Sequence, residues 1–228
     1  MSNGKLNPVI DFINTLCNFF VLNLIFVITC IPVFTIGCAL SSLYYVMSKE
    51  TKGEYGYLVR TYIREFKRNF KDGTLAFLPF LATGSMILFN LLFWPIRGTS
   101  LSSGVTGLLI VLSVIWLIIF HYTFPLVGRF VNTPVNSIKN AWGLALGNLK
   151  WTLALLLIDI CTACFCLFIS LDTVLMIFLS VGFVLVAYGQ SFIFNKVFSP
   201  YETKDVDTQK KQSILREHAD MMQGTSQF

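Results

Sequence analysis

Long apolar runs set the first constraint on the fold of this chain. Five segments carry almost no charge, at residues 12–47, 74–94, 105–125, 151–168 and 174–197. About 20 helical residues cross a bilayer core, and a helix satisfies its backbone hydrogen bonds internally, as lipid requires. The sequence therefore predicts an all-α integral membrane protein with about five transmembrane helices in a membrane domain of residues 1–198, followed by a polar cytoplasmic tail, 199–228.

Composition agrees with a membrane protein. Hydrophobic residues make up 55% of the chain and charged residues 13%, against roughly 25% charge in soluble domains. The net charge of +5 accompanies no nucleic-acid motif, so we expect no nucleic-acid partner. The six cysteines all lie in apolar runs, which favours small buried hydrophobic side chains over disulfides or a metal site. We expect no cofactor and no signal peptide.

The first apolar run is too long for one perpendicular span, so the sequence predicts a kink within it. Pro32, Thr35 and Gly37 supply that kink, because a threonine hydroxyl can satisfy a carbonyl that proline leaves without a partner. Tyr44 and Tyr45 then mark the far membrane interface, where amphipathic rings are common.

Two amphipathic helices are predicted beside the spans. Residues 54–71 place Tyr62, Phe66 and Phe70 on one face, and residues 134–148 form a second, weaker amphipathic stretch. The opposite face of the first helix carries Arg60, Arg64, Lys67 and Lys71. Rings among acyl chains and cations toward anionic headgroups predict a helix in the membrane interface. The alternative is a helix packed on a soluble core.

The distribution of cations predicts the orientation. With five spans, Lys5 and Arg97 lie on one side of the membrane, and the other fifteen of the 17 lysines and arginines lie on the opposite side. Because cytoplasmic loops are enriched in Lys and Arg, we predict that the N-terminus is outside and that the C-terminus and both amphipathic helices are cytoplasmic.

Asp11, His121 and Asp159 are the ionisable residues at or within apolar segments. A carboxylate near the membrane centre costs at least ~2.5 kcal/mol, so Asp159 needs a partner or a proton. His121 lies at a similar depth in the antiparallel third span. A contact between them is either a polar latch between helices or a proton or substrate relay, and we favour the latch.

No catalytic motif accompanies these residues. The chain has no GxxxxGK[ST] loop, no HExxH, no GxSxG with triad partners, and two histidines in all. We therefore predict that the protein is not an enzyme. NFKDGTLAF from Asn69 and NLKWTLAL from Asn148 each place Asn, an apolar residue and Lys before a span, which suggests a duplicated architecture.

Several motifs together resemble the YesL-like family of bacterial membrane proteins, whose shared region is domain of unknown function 624. They are PVFTIG at 32–37 with Tyr44 and Tyr45, REFKRNFK at 64–71, FPLVGRF at 124–130 with Pro125 and Arg129, and KNAWGLALGNLKWTL at 139–153 with Asn148 and Lys150. The resemblance covers about the first two thirds of the chain.

The resemblance implies a multi-pass plasma-membrane protein of Gram-positive-type bacteria, typically encoded beside carbohydrate ABC importers and glycan-degrading enzymes. It supplies no catalytic residues. On that basis we expect a non-enzymatic accessory subunit of a carbohydrate ABC importer, whose partners are the permease, its ATPase and anionic lipid. The alternatives are an independent ion-coupled carrier that uses Asp159 and His121, and a membrane scaffold or regulator.

Overall fold

The chain folds into helices joined by short turns. The computed structural model describes residues 8–54, 56–130 and 132–202, without the side chains of 8–12 and 100, and these residues contain no β-strand. The helices are α1 (Pro8–Cys30), α2 (Ile36–Thr51), α3 (Leu58–Arg68), α4 (Phe70–Phe93), α5 (Ser100–Arg129), α6 (Pro134–Gly147), α7 (Leu149–Phe168) and α8 (Leu171–Glu202). One π-helical turn, Phe178–Gly182, lies within α8.

Five stretches are long and apolar enough to cross a membrane: Ile13–Cys30, Phe70–Arg97, Leu101–Arg129, Leu149–Phe168 and Leu171–Glu202. The predicted all-α integral membrane fold is confirmed. Asp11 and most of the predicted tail lie outside the described side chains, so the structure says nothing about them.

Buried side chains concentrate at one end of the molecule, which we call the base. The base comprises α2, α3 and α6 together with residues 19–26 of α1, 73–80 of α4, 122–129 of α5, 152–155 of α7 and 184–198 of α8. Beyond it, α4 and α5 expose large apolar side chains such as Met86, Phe89, Leu92, Leu108 and Val111. Such a surface suits acyl chains and is unfavourable in water, so the helices leave a protein-packed base and extend into lipid.

Three glycines let α2 approach its neighbours closely. A Cβ on Gly37 would overlap the carbonyl oxygen of Gly73 and lie 2.6 Å from the Cβ of Phe77. A Cβ on Gly73 would lie 2.6 Å from Cys38 Cα, and one on Gly128 would overlap the carbonyl oxygen of Ser41. Small residues at such crossings bring helix backbones together, so the base is closely packed around α2.

The structure corrects the predicted single kinked span over residues 12–47. The helix ends at Cys30 and a new helix begins at Ile36. Pro32 has no N–H to continue the hydrogen-bonded ladder. The Thr35 hydroxyl is 2.6 Å from the carbonyl oxygens of both Thr29 and Pro32. A threonine thus stabilises the turn, as the sequence suggested, but the result is a break rather than a kink.

The chain reverses direction at this break. Phe19 contacts Tyr188, whereas Phe26 contacts Phe183, so α1 runs antiparallel to the part of α8 beside it. In contrast, Tyr44 bonds to Gln190, and residues further along α2 bond further along α8, so these two helices are parallel. The prediction that the N-terminus is outside assumed that residues 12–47 form one span. Because the chain reverses direction within these residues, that assumption does not hold.

The other helices extend beyond the predicted spans at the base. Helix α5 continues through Pro125 to Arg129, and α8 continues to Glu202. Helix α4 is continuous through Pro79 and Gly84. At the base these ends pack against protein instead of lipid, so polar residues there do not terminate the helices.

Candidate functional site

Four side chains from four helices meet in a polar network. The Gln190 amide nitrogen of α8 lies 2.8 Å from Asp159 Oδ1 on α7 and 2.8 Å from His121 Nε2 on α5. The Tyr44 hydroxyl of α2 donates to Gln190 Oε1 at 2.5 Å. Gln190 is almost completely buried. We call these four residues the Gln190 network.

The structure brings His121 and Asp159 together, with His121 Nε2 3.6 Å from Asp159 Oδ1. Gln190 lies between them and donates toward both. His121 Nδ1 and Asp159 Oδ2 are enclosed without a hydrogen-bond partner among the described residues. The network can therefore join three helices to α2 as a latch, and it can also bind or lose a proton at His121 or Asp159.

Sequence analysis did not identify Gln190 or the role of Tyr44. Gln190 is an uncharged polar residue within an apolar run, a weak signal that was nevertheless present in the sequence. Tyr44 was predicted at a membrane interface, and this is wrong: its ring lies 5.4 Å from that of Phe194, edge to face, inside the base. Burial, and secondly the Asp159 carboxylate, raise the pKa of the Tyr44 phenol.

The predicted amphipathic helix is shorter than expected. Helix α3 spans Leu58–Arg68 and Asn69 separates it from α4, so Phe70 and Lys71 belong to the next helix. Tyr62 is fully buried against α1 and α2, and its hydroxyl lies 2.6 Å from Thr29 Oγ1. The aromatic face therefore packs partly on protein, which corrects the interfacial placement of Tyr62.

The rest of α3 divides between burial and exposure. Phe66 is partly buried between Tyr62 and Phe70, while Phe70 itself is 44% exposed. The predicted cations Arg60, Arg64, Lys67 and Lys71 are all exposed. This cationic face remains available to headgroup phosphates.

Sequence analysis also missed the buried Glu65. Its carboxylate is almost completely enclosed and pairs with Arg64 Nε at 3.2 Å and Arg68 Nη2 at 2.5 Å. Arg68 donates in addition to the Gly128 carbonyl oxygen and lies over the Tyr45 ring. A carboxylate flanked by arginines on an amphipathic helix looks solvent-exposed in sequence, and only the packing of α3 against α2 and α5 shows otherwise.

We expect the exposed cations of α3 to select anionic lipid. Arg60→Glu combined with Lys67→Glu should leave the fold intact, because both side chains are exposed. Each cation removed should weaken attraction to anionic headgroups by ~1 kcal/mol, and reversal should cost more. Native mass spectrometry of the protein purified from mixed-lipid nanodiscs would measure retained anionic lipid. Arg97→Glu, at the opposite end, is the matched control, and equal retention in both variants would contradict the prediction.

Arg129 joins three helices at the base. Its Nε lies 3.1 Å from Glu202 Oε1, its Nη2 donates to Asn195 Oδ1, and its guanidinium lies over the Phe198 ring. Lys52 of α2 holds the other Glu202 oxygen at 2.8 Å. Arg129 is thus a structural connector between α5, α8 and α2.

The other motif residues mark helix junctions and helix interiors. Asn69 separates α3 from α4, and Asn148 separates α6 from α7, so both occurrences of the repeated sequence connect a short helix to a long one. Lys150 lies over the Trp151 ring at 5.3 Å. Pro125 is buried within α5. The duplicated sequence therefore corresponds to a duplicated local structure.

Helix α6 exposes apolar side chains although it is too short to span a membrane. Its inner face, including Ala141 and Leu144, packs on the other helices of the base. Val135, Trp142 and Leu146 are 61%, 43% and 53% exposed. This outward surface, which we call the α6 face, lies at the same end as the cationic face of α3.

The cysteines give no sign of metal chemistry in the described residues, where no cluster of three or more His, Cys, Asp or Glu side chains occurs. Cys38 is fully buried, whereas Cys17, Cys161 and Cys164 are exposed on the apolar surface. Their predicted burial is therefore correct for Cys38 and wrong for these three. Burial raises the pKa of the Cys38 thiol to about 11, so this thiol is unreactive near neutral pH.

Comparison with known proteins gives a family match. No curated protein and no solved structure matches the chain significantly. The family described as "Protein of unknown function, DUF624" matches residues 19–91. That region includes the PVFTIG and REFKRNFK motifs, Gly37 and Gly73 at the α2 crossing, and all of α3. The predicted resemblance is confirmed over these residues: this region of the chain is similar to the DUF624 family.

Proposed function

We propose that this protein is a non-enzymatic accessory subunit of a bacterial carbohydrate ABC importer, held in the plasma membrane beside the permease. The carbohydrate link comes from the genomic setting that the family resemblance implies. The permease, and through it the ATPase, is the partner that such a subunit would contact.

The α6 face is the observation that carries this proposal. A helix outside the spanning segments gains nothing by exposing Trp142 and Leu146 to water, and exposed aromatic and aliphatic patches of this kind mark interaction surfaces. Its inner side is fixed to a closely packed base, so the surface is preorganised for a partner.

Charge supports a cytoplasmic location for the base. Lys49, Lys52, Lys139, Lys150 and the cations of α3 lie there, whereas Arg97 follows α4 at the other end. Cytoplasmic segments are enriched in Lys and Arg. An ATPase is also cytoplasmic, so the α6 face lies where a permease–ATPase assembly could contact it.

We expect cysteine labelling to confirm this orientation. In a variant without the native cysteines, Ile96→Cys should react with an impermeant maleimide in intact cells, because Ile96 is 86% exposed at the end opposite the base. Lys139→Cys should react only after permeabilisation. Labelling of Lys139→Cys from outside would contradict the orientation, and Asn3→Cys would place the N-terminus.

Co-purification tests the proposal directly. The tagged protein, extracted in mild detergent from its native host, should recover a sugar permease and its ATPase, identified by mass spectrometry. Trp142→Ala combined with Leu146→Ala should reduce that recovery at least tenfold, while Ile96→Ala should leave it unchanged. The proposal fails if no permease is recovered with the unaltered protein or if both variants recover it equally.

The Gln190 network favours a second candidate, a small ion-coupled carrier. Asp159→Asn distinguishes the two, because an amide keeps most of the hydrogen bonding but cannot take up a proton. An accessory subunit should assemble and support uptake nearly normally with this change, since interhelical hydrogen bonds in membranes average ~0.6 kcal/mol. A correctly assembled Asp159→Asn protein without uptake, together with substrate movement by the purified protein alone in liposomes, would favour the carrier.

A further inference from the structure

We infer that Asn23 of α1 sets the rotation of the outer part of α8 by holding one extra residue in the π-helical turn of that helix. The outer part, Leu171–Ile177, precedes the turn, and residues 183–202 follow it toward the base. The inference does not depend on the proposed transport partner. It rests on contacts between a buried asparagine and the backbone of a helix that is long enough to cross the membrane.

Asn23 bonds to three backbone groups at the turn. Its amide nitrogen donates to the carbonyl oxygens of Phe178 and Leu179, each at 2.9 Å, and its Oδ1 accepts from the Val184 N–H at 3.2 Å. The Asn23 side chain is fully buried. Backbone groups within a membrane need partners in the protein, because lipid offers none. Asn23 therefore supplies the hydrogen bonds that a π turn requires at this place.

The π turn holds one residue more than an α-helical turn. If the same residues formed a continuous α-helix, one end of α8 would rotate against the other by about 100° and shift by about 1.5 Å. The helix would then satisfy its own carbonyl groups, and Asn23 would be buried without these partners. The amide of Asn23 thus favours the π turn over the α-helical alternative.

The two ends of α8 are held very differently. The end in the base is fixed by Gln190, Asn195 and Glu202, which bond to side chains of α2, α5 and α7. In the outer part, by contrast, no side chain is buried. Loss of the π turn should therefore rotate the outer part and leave the base end in place.

The direction of this rotation follows from the position of the extra residue. With the base end fixed, each outer residue would move to the place that the preceding residue now occupies. Ile177, which is partly buried, would take the place of Met176, which is 74% exposed. Leu175, which is 51% exposed, would take the place of the partly buried Val174. Asn23 thereby determines which side chains of outer α8 face the membrane.

Asn23→Leu tests this role, because leucine is similar in size but makes no hydrogen bond. In a variant without the native cysteines, reconstituted in nanodiscs, nitroxide labels are placed singly at Leu175→Cys and Ile177→Cys. Electron paramagnetic resonance then measures their accessibility to dissolved oxygen. With Asn23→Leu, accessibility should rise at position 177 and fall at position 175. A label at Leu185→Cys, beyond the turn, should not change.

Deletion of Leu179 removes the extra residue itself. Its side chain is 51% exposed, so the deletion removes little packing, and a continuous α-helix would then keep the outer part in its present rotation. The deletion alone leaves Asn23 buried without partners and should lower the midpoint of thermal unfolding. Combined with Asn23→Leu, it should give a higher midpoint than either single change and restore the original accessibility at positions 175 and 177.

Asn18→Leu is the matched control, since Asn18 is an exposed asparagine of the same helix. It should leave the accessibility of both labels unchanged. The inference is overturned if Asn23→Leu gives the same accessibility as Asn18→Leu, or if the midpoint of the double variant does not exceed those of both single variants. Should Asn23→Leu alone not fold, the comparison of the double variant with the Leu179 deletion decides.

Discussion

Gly37→Ala should lower the thermal stability of this protein more than any surface substitution. Its added methyl group would meet the carbonyl oxygen of Gly73, which is backbone, and the Cβ of Phe77. Neither atom is the far end of a flexible side chain, so α2 and α4 must separate. Overpacking a rigid core typically costs about 1 to 3 kcal/mol, and contact with backbone places this change at the upper end.

Helix propensity alone predicts that replacing glycine by alanine stabilises a helix, so the clash at Gly37 and helix propensity predict changes of opposite sign. Replacing glycine by alanine inside a helix favours folding by up to about 1 kcal/mol when the new methyl group meets nothing. A Cβ added to Gly143 in α6 would meet no heavy atom of another described helix or loop within 4 Å. Gly143→Ala should therefore be neutral or slightly stabilising, whereas Gly37→Ala should be clearly destabilising.

The measurement is the midpoint of thermal unfolding of each purified variant in the same detergent, followed by tryptophan fluorescence. Opposite signs for the two changes would support close packing at the α2 crossing. Equal midpoints for Gly37→Ala and the unaltered protein would show that α2 and α4 are not in contact there. Gly128→Ala provides an independent repeat at the crossing of α2 with α5, where the obstacle is the Ser41 carbonyl.

The spanning helices could be predicted because lipid imposes a simple rule. Runs such as 151–168 must be helical and apolar over their full length, and the structure places α7 at Leu149–Phe168. The contact between His121 and Asp159 could be anticipated for a related reason, since polar groups at similar depth in adjacent spans are driven together.

The base could not be predicted in the same way. There α2 is enclosed by protein, and its sequence, with Ser41, Ser42 and Ser48 buried among apolar residues, resembles neither a span nor a surface helix. Apolar length alone therefore joined it to α1. The role of Gln190 depended on which residue of α8 faces α5 and α7, and that alignment is set by tertiary packing.

The burial of Glu65 in α3 also could not be predicted from sequence. Helical periodicity assigns a residue to a face of α3, but it does not say whether that face meets lipid, water or protein. The buried pairing of Glu65 with Arg64 and Arg68 follows from the position of α3 across α2. Sequence therefore predicted the cationic face correctly as a pattern and misplaced part of the aromatic face.

Arg129→Ala should release the end of α8 from the base. Arg129 contacts Glu202, Asn195 and the Phe198 ring, so its removal affects three contacts at once. Hydrogen bonds to charged groups contribute about 1.5 to 3 kcal/mol each when buried. Glu202 is 30% exposed, so solvent screening reduces its share. We expect a local loss of about 1 to 2 kcal/mol, or roughly tenfold faster amide exchange.

The loss should extend into α2 because Asn195 also holds that helix. Its amide donates to Thr51 Oγ1 at 2.6 Å and to the Ser48 carbonyl at 3.1 Å. Without Arg129, the Ser48 hydroxyl, 2.6 Å away, remains as a hydrogen-bond donor to the Asn195 oxygen. Hydrogen exchange followed by mass spectrometry should therefore show faster exchange over residues 195–202 and 48–52.

Two matched variants separate the geometry of Arg129 from its charge. Arg129→Lys keeps the charge but cannot present Nε to Glu202 and Nη2 to Asn195 together, so it should recover only part of the protection. Arg97→Ala removes an exposed cation that lies over Phe93 at the opposite end, and it should leave both segments unchanged. If Arg129→Ala exchanges no faster than Arg97→Ala, the end of α8 is held by apolar packing around Phe198, and Arg129 is not its connector.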